Sequence, residues 1–303
     1  MNTPHISPTA GLQQAPDDSA AICRRLAGFD FPWELNRALE IAILKTFCVP
    51  RISHLLHQTG EFERRPQKRY DDTSLILGNI VKWGYDSPRG RAAIARMNRI
   101  HQRFDIDNED FLYVLSTFIY EPIRWNQLFG WRPFTPEEEN ALFQFWRAVG
   151  HRMNIQGIPD TSAAYEQFNQ RYEAEHFKYH ADNAAIGEAV VALMKGWLPS
   201  AAAPVVPVVV KAVASDSMRR AMGWSKPSPL VSQAIFQGLK LRQKLTQQLP
   251  EREESNFIVD TPNTTYPDGY QLEKLGPDAP TVQTTSSSKC PFMRMRAFLK
   301  ADA

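Results

Sequence analysis

The sequence predicts an all-α protein, and three observations predict this class. Apolar residues recur three and four positions apart along most of the chain, residues that start and stop helices separate these runs, and no stretch alternates as a strand does. We expect one helical domain over 19–248, a disordered lead rich in Pro, Ser, Thr and Gln at 1–18, and a loop-rich tail over 249–303.

The first helical runs precede residue 105. WELNRALEIAILKTF places Leu35, Leu39, Ile43 and Phe47 on one helix face, and Pro50 is expected to end or kink that helix. The next runs are ISHLLHQTG, which closes on a glycine, DDTSLILGNIVKWGY and SPRGRAAIARMNRIHQRF. These spacings predict four amphipathic helices before the middle of the chain.

The central runs carry the clearest helix signals. NEDFLYVLSTFIYEPIRWNQLFG is apolar almost all round, which predicts a buried central helix with a kink at Pro122. TPEEENALFQFWRAVGHRM opens with a capping box, in which Thr135 caps, Pro136 takes the first position and Glu138 completes the box. Further helices are predicted in SAAYEQFNQRYEAEHFKYH, NAAIGEAVVALMKGWL, roughly 207–223 and SPLVSQAIFQGLKLRQKLTQQL.

Composition limits the class of partner and the compartment. The 303 residues carry a net charge of +2, so we expect no nucleic-acid partner. Cys23, Cys48 and Cys290 share no CxxC spacing, which favours a reducing compartment, and we interpret the Cys290–Pro291 pair as a chance feature of the tail. The chain shows no secretory leader and no run of about 18 apolar residues, so we expect an intracellular protein. The segment 201–214, AAAPVVPVVVKAVA, is a candidate for peripheral contact with a membrane.

The stretch RMNRIHQRF, residues 96–104, places a histidine on the apolar side of a basic helix. At about 100° per residue, Met97, His101 and Phe104 fall together while the arginines fall opposite. One interpretation is a core histidine that hydrogen-bonds a neighbour. The other is an axial ligand to haem or a metal, because haem proteins place neutral imidazoles in apolar walls.

Other chemistry-bearing patterns are weak. No Gly-rich phosphate loop and no GxSxG elbow occurs. His176 and His180, spaced i and i+4, could bind a metal from one helix face, but a solvated face is the simpler interpretation. In KRYDDT, residues 68–73, the spacing alone predicts that acidic and hydroxyl side chains cap the start of a helix.

A resemblance to a known family makes some of these patterns more informative. The stretch from RYDDTSLILGNI through RGRAAIARMNRIHQRF and NEDFLYVLSTFIYEPIRWNQLFG to WRAVGHRM resembles the family of ER-bound oxygenase MpaB and the rubber oxygenases called latex clearing proteins. The likeness extends over about 30–225, and the tail stretch TYPDGYQLEKLG is also similar to endings in that family.

The resemblance implies a haem b oxygenase with an all-α, globin-like core that cleaves C=C bonds of isoprenoid chains with O2. By position, His101 matches the proximal iron ligand, and Arg69 and Thr73 match the distal Arg and Thr. Asp72 stands where rubber oxygenases carry a distal lysine, which favours an open sixth iron position. Rubber oxygenases also use a distal glutamate as a base, and Glu61 lies upstream at a suitable distance.

These residue types suit that chemistry. A distal Arg and a hydroxyl can stabilise negative charge that develops on dioxygen, and Asp72 or Glu61 could accept an allylic proton if burial raised the carboxyl pKa. Phe111, Phe118, Tyr120 and Trp125 could line an apolar pocket, although core packing explains each of them equally well.

Three functional hypotheses therefore remain open. The first is a haem oxygenase that acts with O2 on a hydrophobic, isoprenoid-type small molecule. The second is a helical haem or lipid carrier without catalytic activity. The third is a metal-only oxygenase that depends on His176 and His180. The sequence does not fix the substrate or the oligomeric state.

Overall fold

The computed structural model describes residues 18–277, and across them the chain forms α-helices and no strand. The helices are α1 Ser19–Arg25, α2 Pro32–Thr46, α3 Pro50–Thr59, α4 Glu61–Arg64, α5 Pro66–Trp83, α6 Pro88–His101, α7 Asn108–Phe129, α8 Pro136–Arg152, α9 Ser162–His176, α10 Ala181–Gly196, α11 Val205–Val213, α12 Asp216–Met222 and α13 Pro229–Thr246. A π-helical turn at Leu26–Asp30 links the first two helices, and the tail carries 3₁₀ turns at Ile258–Asp260 and Leu272–Lys274. The predicted all-α class is confirmed, while the globin-like arrangement stays a prediction.

Some sequence predictions concern residues that the structure does not describe. The predicted lead at 1–18 lies outside the described residues except for Asp18, and the tail beyond residue 277, with Cys290, also lies outside them. Within 18–277, no helix is both long enough and apolar enough to cross a bilayer. The intracellular location stays a prediction.

Proline and glycine set several helix boundaries. Pro50 begins α3, because a proline at the first position loses no helical hydrogen bond, and Gly60 ends that helix with a left-handed φ of 64°. The predicted capping box of α8 is confirmed: the Glu138 N–H donates to Thr135 Oγ1 at 3.2 Å, and the Thr135 N–H donates to Glu138 Oε2 at 2.8 Å. Local side-chain chemistry therefore fixes these ends.

Three predicted helices differ in the structure. Helix α5 begins at Pro66, so Asp71, Asp72 and Thr73 lie beyond its first turn and the capping interpretation of KRYDDT is wrong. The run at 207–223 is two helices, because Ser215 caps α12. Helix α9 ends at His176, so 177–180 is not helical.

Helix α7 lies at the centre of the fold, and α2 packs along it. Its predicted burial holds, and it continues as one α-helix past Pro122. The main apolar core joins side chains of α5, α6, α7 and α8 with the tail, which contributes Leu272 and Leu275. A second core joins α2 with α10 and α12. The space between these two packed regions contains the cavity described below.

A buried network of charges connects α2, α7 and α9. Lys45 Nζ donates to Glu121 Oε1 at 2.7 Å and to Glu173 Oε1 at 2.9 Å. Arg124 Nη1 also donates to Glu121 Oε1 at 2.7 Å, and the Tyr113 hydroxyl donates to Glu173 at 3.3 Å. Because Lys45 and Glu121 are both buried, each charge depends on its partners inside the fold.

Candidate active site

A large cavity, which we call the main cavity, lies between α2, α3, α5, α6, α7, α10 and the tail. It encloses about 1970 Å³ including its open mouth, and its walls are mainly apolar. Walls of this kind suit a hydrophobic ligand.

His101 is the last residue of α6, and it lines this cavity together with Met97, Ile100 and Phe104. Its ring meets the edge of the Phe111 ring at a centroid distance of 5.2 Å. Burial, and then the positive charge of Arg69, lower the pKa of His101 from 6.5 to about 4. The imidazole is therefore neutral at pH 7, which is the form that binds a metal.

The buried Nδ1 atom of His101 has no hydrogen-bond partner within the described part of the chain. A histidine that only stabilises a core normally satisfies its ring nitrogens, because an unpaired buried polar atom costs about 1–3 kcal/mol. The interpretation of His101 as a hydrogen-bonded core residue thus finds no partner. An unsatisfied imidazole at a cavity wall is typical of a ligand-binding residue.

Arg69 and Thr73 lie one turn apart on α5 and line the same cavity. Arg69 Nη1 donates to Thr73 Oγ1, and the Arg69 guanidinium lies 5.3 Å from the centroid of the Phe62 ring. Burial lowers the pKa of Arg69, and the charges of Asp72 and Glu61 act in the opposite direction. The guanidinium lies close enough to His101 to contribute to the lowered pKa of the imidazole.

Asp72 and Glu61 also line the cavity, and both carboxylates are ion-paired. Asp72 accepts hydrogen bonds from Lys68 Nζ at 2.7 Å and from the Tyr266 hydroxyl at 2.5 Å. Glu61 Oε1 accepts from Arg65 Nη2 at 2.7 Å. The structure therefore brings together all five residues singled out from the sequence, while the role of each stays a prediction.

The tail forms part of the cavity wall. Gly276 and Pro277 line the cavity, and the Gly276 carbonyl accepts a hydrogen bond from Lys68 Nζ at 2.9 Å. The Leu275 carbonyl accepts from Arg96 Nε at 2.6 Å. At least one arginine of α6 therefore holds the tail rather than facing solvent.

Sequence reasoning missed Glu40 and Tyr70. The Tyr70 hydroxyl donates to Glu40 Oε1 at 3.1 Å, and Arg37 Nη2 donates to the same oxygen at 2.5 Å. Burial raises the pKa of Glu40 from 4.5 to about 7 and also raises the pKa of Tyr70. One feature of the sequence could have indicated Glu40. It follows Leu39 and precedes Ile43 by three residues, so it lies on the edge of an apolar helix face.

Glu40 and Tyr70 stand where the main cavity meets a second one. The second cavity encloses about 890 Å³ and shares Glu40, Tyr70 and Phe118 among its walls with the first. Phe257 and Ile258 of the tail line another part of it. Both cavities have mainly apolar walls and lie on either side of these shared side chains.

We expect Glu40→Gln to stabilise the protein at high pH. The pKa of Glu40 is about 7 in the folded state and 4.5 in the unfolded state. Below pH 4.5 the carboxyl is protonated in both states, so it does not reduce the stability of the wild type. As the pH rises from 4.5 to about 7, the free energy of unfolding of the wild type falls. The loss at pH 8 is about 3 kcal/mol at most, since one pKa unit is about 1.4 kcal/mol. Urea unfolding at pH 5 and pH 8 measures it, and an equal pH dependence in the variant would contradict the assignment.

The structure does not support a metal site at His176 and His180. His176 Nδ1 lies 3.0 Å from the Tyr172 carbonyl oxygen, and its ring stacks on Tyr172 at 4.1 Å. His180 instead caps α10, where its Nδ1 accepts from the Asp182 N–H. The two histidines are therefore not on one helix face, because α9 ends between them. Residues 18–277 contain no group of three or more His, Cys, Asp or Glu placed to hold a metal ion.

Fold and site together define a helical protein with a large apolar cavity, a neutral unpartnered histidine in its wall and a buried arginine nearby. The chain belongs to the family described as "ER-bound oxygenase mpaB/B'/Rubber oxygenase, catalytic domain", whose model matches residues 38–240. This membership confirms the resemblance found in the sequence.

Three proteins of Penicillium species are similar to this chain. The chain is 26% identical to ER-bound oxygenase mpaB' of Penicillium brevicompactum over 250 residues, which is 77% of this chain and 59% of that protein. It is 26% identical to ER-bound oxygenase mpaB of Penicillium roqueforti (strain FM164) over 224 residues, which is 68% of this chain and 75% of that one. A third relative, mpaB of P. brevicompactum, is 25% identical over 60% of this chain and 51% of its own length. The chain thus spans between half and three quarters of these relatives.

Proposed function

We propose that this protein is a haem b-dependent oxygenase that uses O2 to cleave or oxidise a C=C bond in a hydrophobic, isoprenoid-type small molecule. The observation that carries the proposal is the neutral His101, whose Nδ1 has no partner within 18–277, in the wall of the cavity that Arg69 and Thr73 also line. Family membership supports the oxygenase part of the proposal.

The residues present fit haem b. His101 would hold the haem iron, because its imidazole is neutral and a neutral imidazole binds iron. The apolar walls, which include Phe104 and Phe111, would suit a macrocycle.

Haem, when bound, supplies the activation of dioxygen. Arg69 supplies a hydrogen-bond donor that stabilises negative charge developing in the cavity. Thr73 holds the guanidinium in place, because its hydroxyl accepts from Arg69 Nη1 and donates to the Arg69 carbonyl. Asp72 and Glu61 are the candidate proton acceptors, and Lys68 and Arg65 hold them in position through ion pairs. The apolar walls exclude water, so these charges act more strongly than they would in solvent.

The second cavity supports an elongated substrate. Its walls continue from the main cavity past Glu40 and Tyr70, which are the polar groups at the junction. A chain with several double bonds could then place one bond near Arg69 and Thr73 and extend its remainder between apolar side chains. Cleavage of that bond forms two carbonyl groups and consumes both atoms of one O2.

The test loads the purified protein with haem and supplies a polyunsaturated isoprenoid. We expect O2 uptake and aldehyde or ketone fragments, detected by mass spectrometry. A haem or lipid carrier would bind the same compound without forming fragments, and that outcome would reject the enzymatic proposal.

We expect Arg69→Met to lower turnover by about 10²-fold while haem is retained, because the variant removes a preorganised donor. Thr73→Ser, which keeps the hydroxyl that accepts from Arg69, serves as the matched control. Unchanged turnover in Arg69→Met would reject the distal role of the arginine.

A further inference from the structure

A helix on a protein surface normally exposes polar side chains to solvent, but helix α13 also exposes apolar ones. None of its residues is buried, and its exposed residues include polar and apolar side chains. Gln233, Gln237 and Lys244 are exposed along one edge. Beside them are the exposed apolar side chains Leu230, Val231, Ala234, Leu241 and Leu245, of which Leu230 is 80% exposed and Leu245 60%. At about 100° per residue, these five fall within an arc of about 100°. They form a continuous apolar stripe along the helix, which we call the α13 stripe.

The inward side of α13 holds the helix in place through polar contacts. Arg242 Nη1 donates to the buried Glu34 at 2.7 Å, and Gln243 Nε2 donates to the Gly130 carbonyl at 2.6 Å. Gln247, just beyond the helix, donates to the Trp131 carbonyl at 2.6 Å. Because these polar groups fix its orientation, rotation of the helix could not bury the α13 stripe.

Exposed apolar side chains concentrate in this part of the protein. Nine of the twelve large apolar residues that the described residues expose lie between 198 and 249. Helix α11 packs against α13 and exposes Val205 and Val208. Single exposed apolar residues are ordinary, but a concentration of this kind indicates an interaction surface.

The net positive charge of the same region indicates an anionic partner. Residues 198–249 contain seven Lys or Arg and one acidic residue, Asp216, a net charge of +6 in a chain whose total is +2. Asp216 is already paired with Arg219 and Lys226. Lys244 lies along one edge of the α13 stripe, whereas Lys240 Nζ donates to the Leu128 carbonyl on the inward side. The first acidic residue after the stripe is Glu251.

We propose that α11 and α13 dock the protein on an anionic lipid surface. An apolar stripe in a region of net positive charge is the pattern of helices that lie in a membrane interface, where apolar side chains enter the acyl boundary and cations meet lipid headgroups. A second copy of this chain fits less well, because a symmetric contact would bring two basic regions together. The proposal is independent of haem and of the proposed reaction.

The test is vesicle co-sedimentation of the full chain without haem. We expect binding to vesicles of phosphatidylcholine mixed with phosphatidylserine that is about tenfold stronger than to phosphatidylcholine alone. Raising the salt from about 0.05 to about 0.5 M should weaken it, because salt screens the lysines. The double variant Leu241→Asp with Leu245→Asp should lose about tenfold in binding.

The matched control is Ala163→Asp with Gln167→Asp, which adds the same charge at exposed positions of α9. It should bind as the wild type does, and thermal unfolding checks that both double variants stay folded. Equal binding of the stripe variant and the control would overturn the proposal. A wild type that ignores both vesicles but forms a dimer that Leu241→Asp dissociates would assign the stripe to a second copy instead.

Discussion

Replacing His101 by alanine is expected to remove most of the haem that the wild type binds. His101 supplies the only imidazole among the described residues that line the main cavity, and it is neutral at pH 7 because burial lowers its pKa to about 4. Without it, the apolar walls would hold the macrocycle without a bond to iron. The Soret absorbance and the pyridine haemochrome of purified protein, expressed with added haem precursor, measure the loss.

Two further variants test whether the loss of haem is specific to His101. His176→Ala should keep its haem, because His176 contacts the Tyr172 carbonyl and stacks on that ring outside the main cavity. His101→Gly should regain a Soret band when free imidazole is added, since the small ligand can occupy the space that the side chain leaves. Haem content equal to that of the wild type in His101→Ala would show that this residue does not hold the iron.

Local patterns in the sequence were sufficient for the fold class and for several helix ends. The Thr135–Glu138 box and the glycine after α3 act through contacts within a few residues, so the sequence carries them directly. The start of α5 was placed too late because Asp71 and Asp72 look like capping residues. In the folded protein they instead face the tail, where Thr265 and Tyr266 donate to their carboxylates.

The candidate site was partly predictable for the same reason. Helical spacing alone placed His101 on the apolar side of α6, and family resemblance added the pair Arg69 and Thr73. Glu40 was missed because a single glutamate near an apolar face has no local signature, and its importance arises from Tyr70, which lies thirty residues away in sequence. The hydrogen bond between Lys68 and the tail residue Gly276 joins residues that are even further apart in the sequence.

The buried charges of α7 show the same limit in the core. The helix was predicted to be apolar almost all round, yet Asp110 and Glu121 are buried in it. Each is neutralised by a distant residue: Arg51 Nε donates to Asp110 at 2.8 Å, and Lys45 Nζ donates to Glu121 at 2.7 Å. Hydrophobic periodicity detects a buried face, but it does not reveal which charged residue will meet a partner from another helix.

Lys45→Met is expected to lower the free energy of unfolding by about 3 kcal/mol, within the range for removing one partner of a buried ion pair. The substitution keeps the length of the side chain but leaves Glu173 with only the Tyr113 hydroxyl within the network, at 3.3 Å. Glu121 retains Arg124, which limits the loss. Urea unfolding at pH 7, followed by circular dichroism, measures the change.

The matched control is Lys226→Met, which breaks an exposed pair with Asp216 and should cost less than about 1 kcal/mol. Adding Glu121→Gln and Glu173→Gln to Lys45→Met should recover part of the lost stability, because no uncompensated carboxylate then remains in the interior. If Lys45→Met cost no more than Lys226→Met, the buried charges would not stabilise the packing of α2 against α7. Recovery in the triple variant would instead show that the cost arises from the unpaired carboxylates and not from the lost side-chain volume.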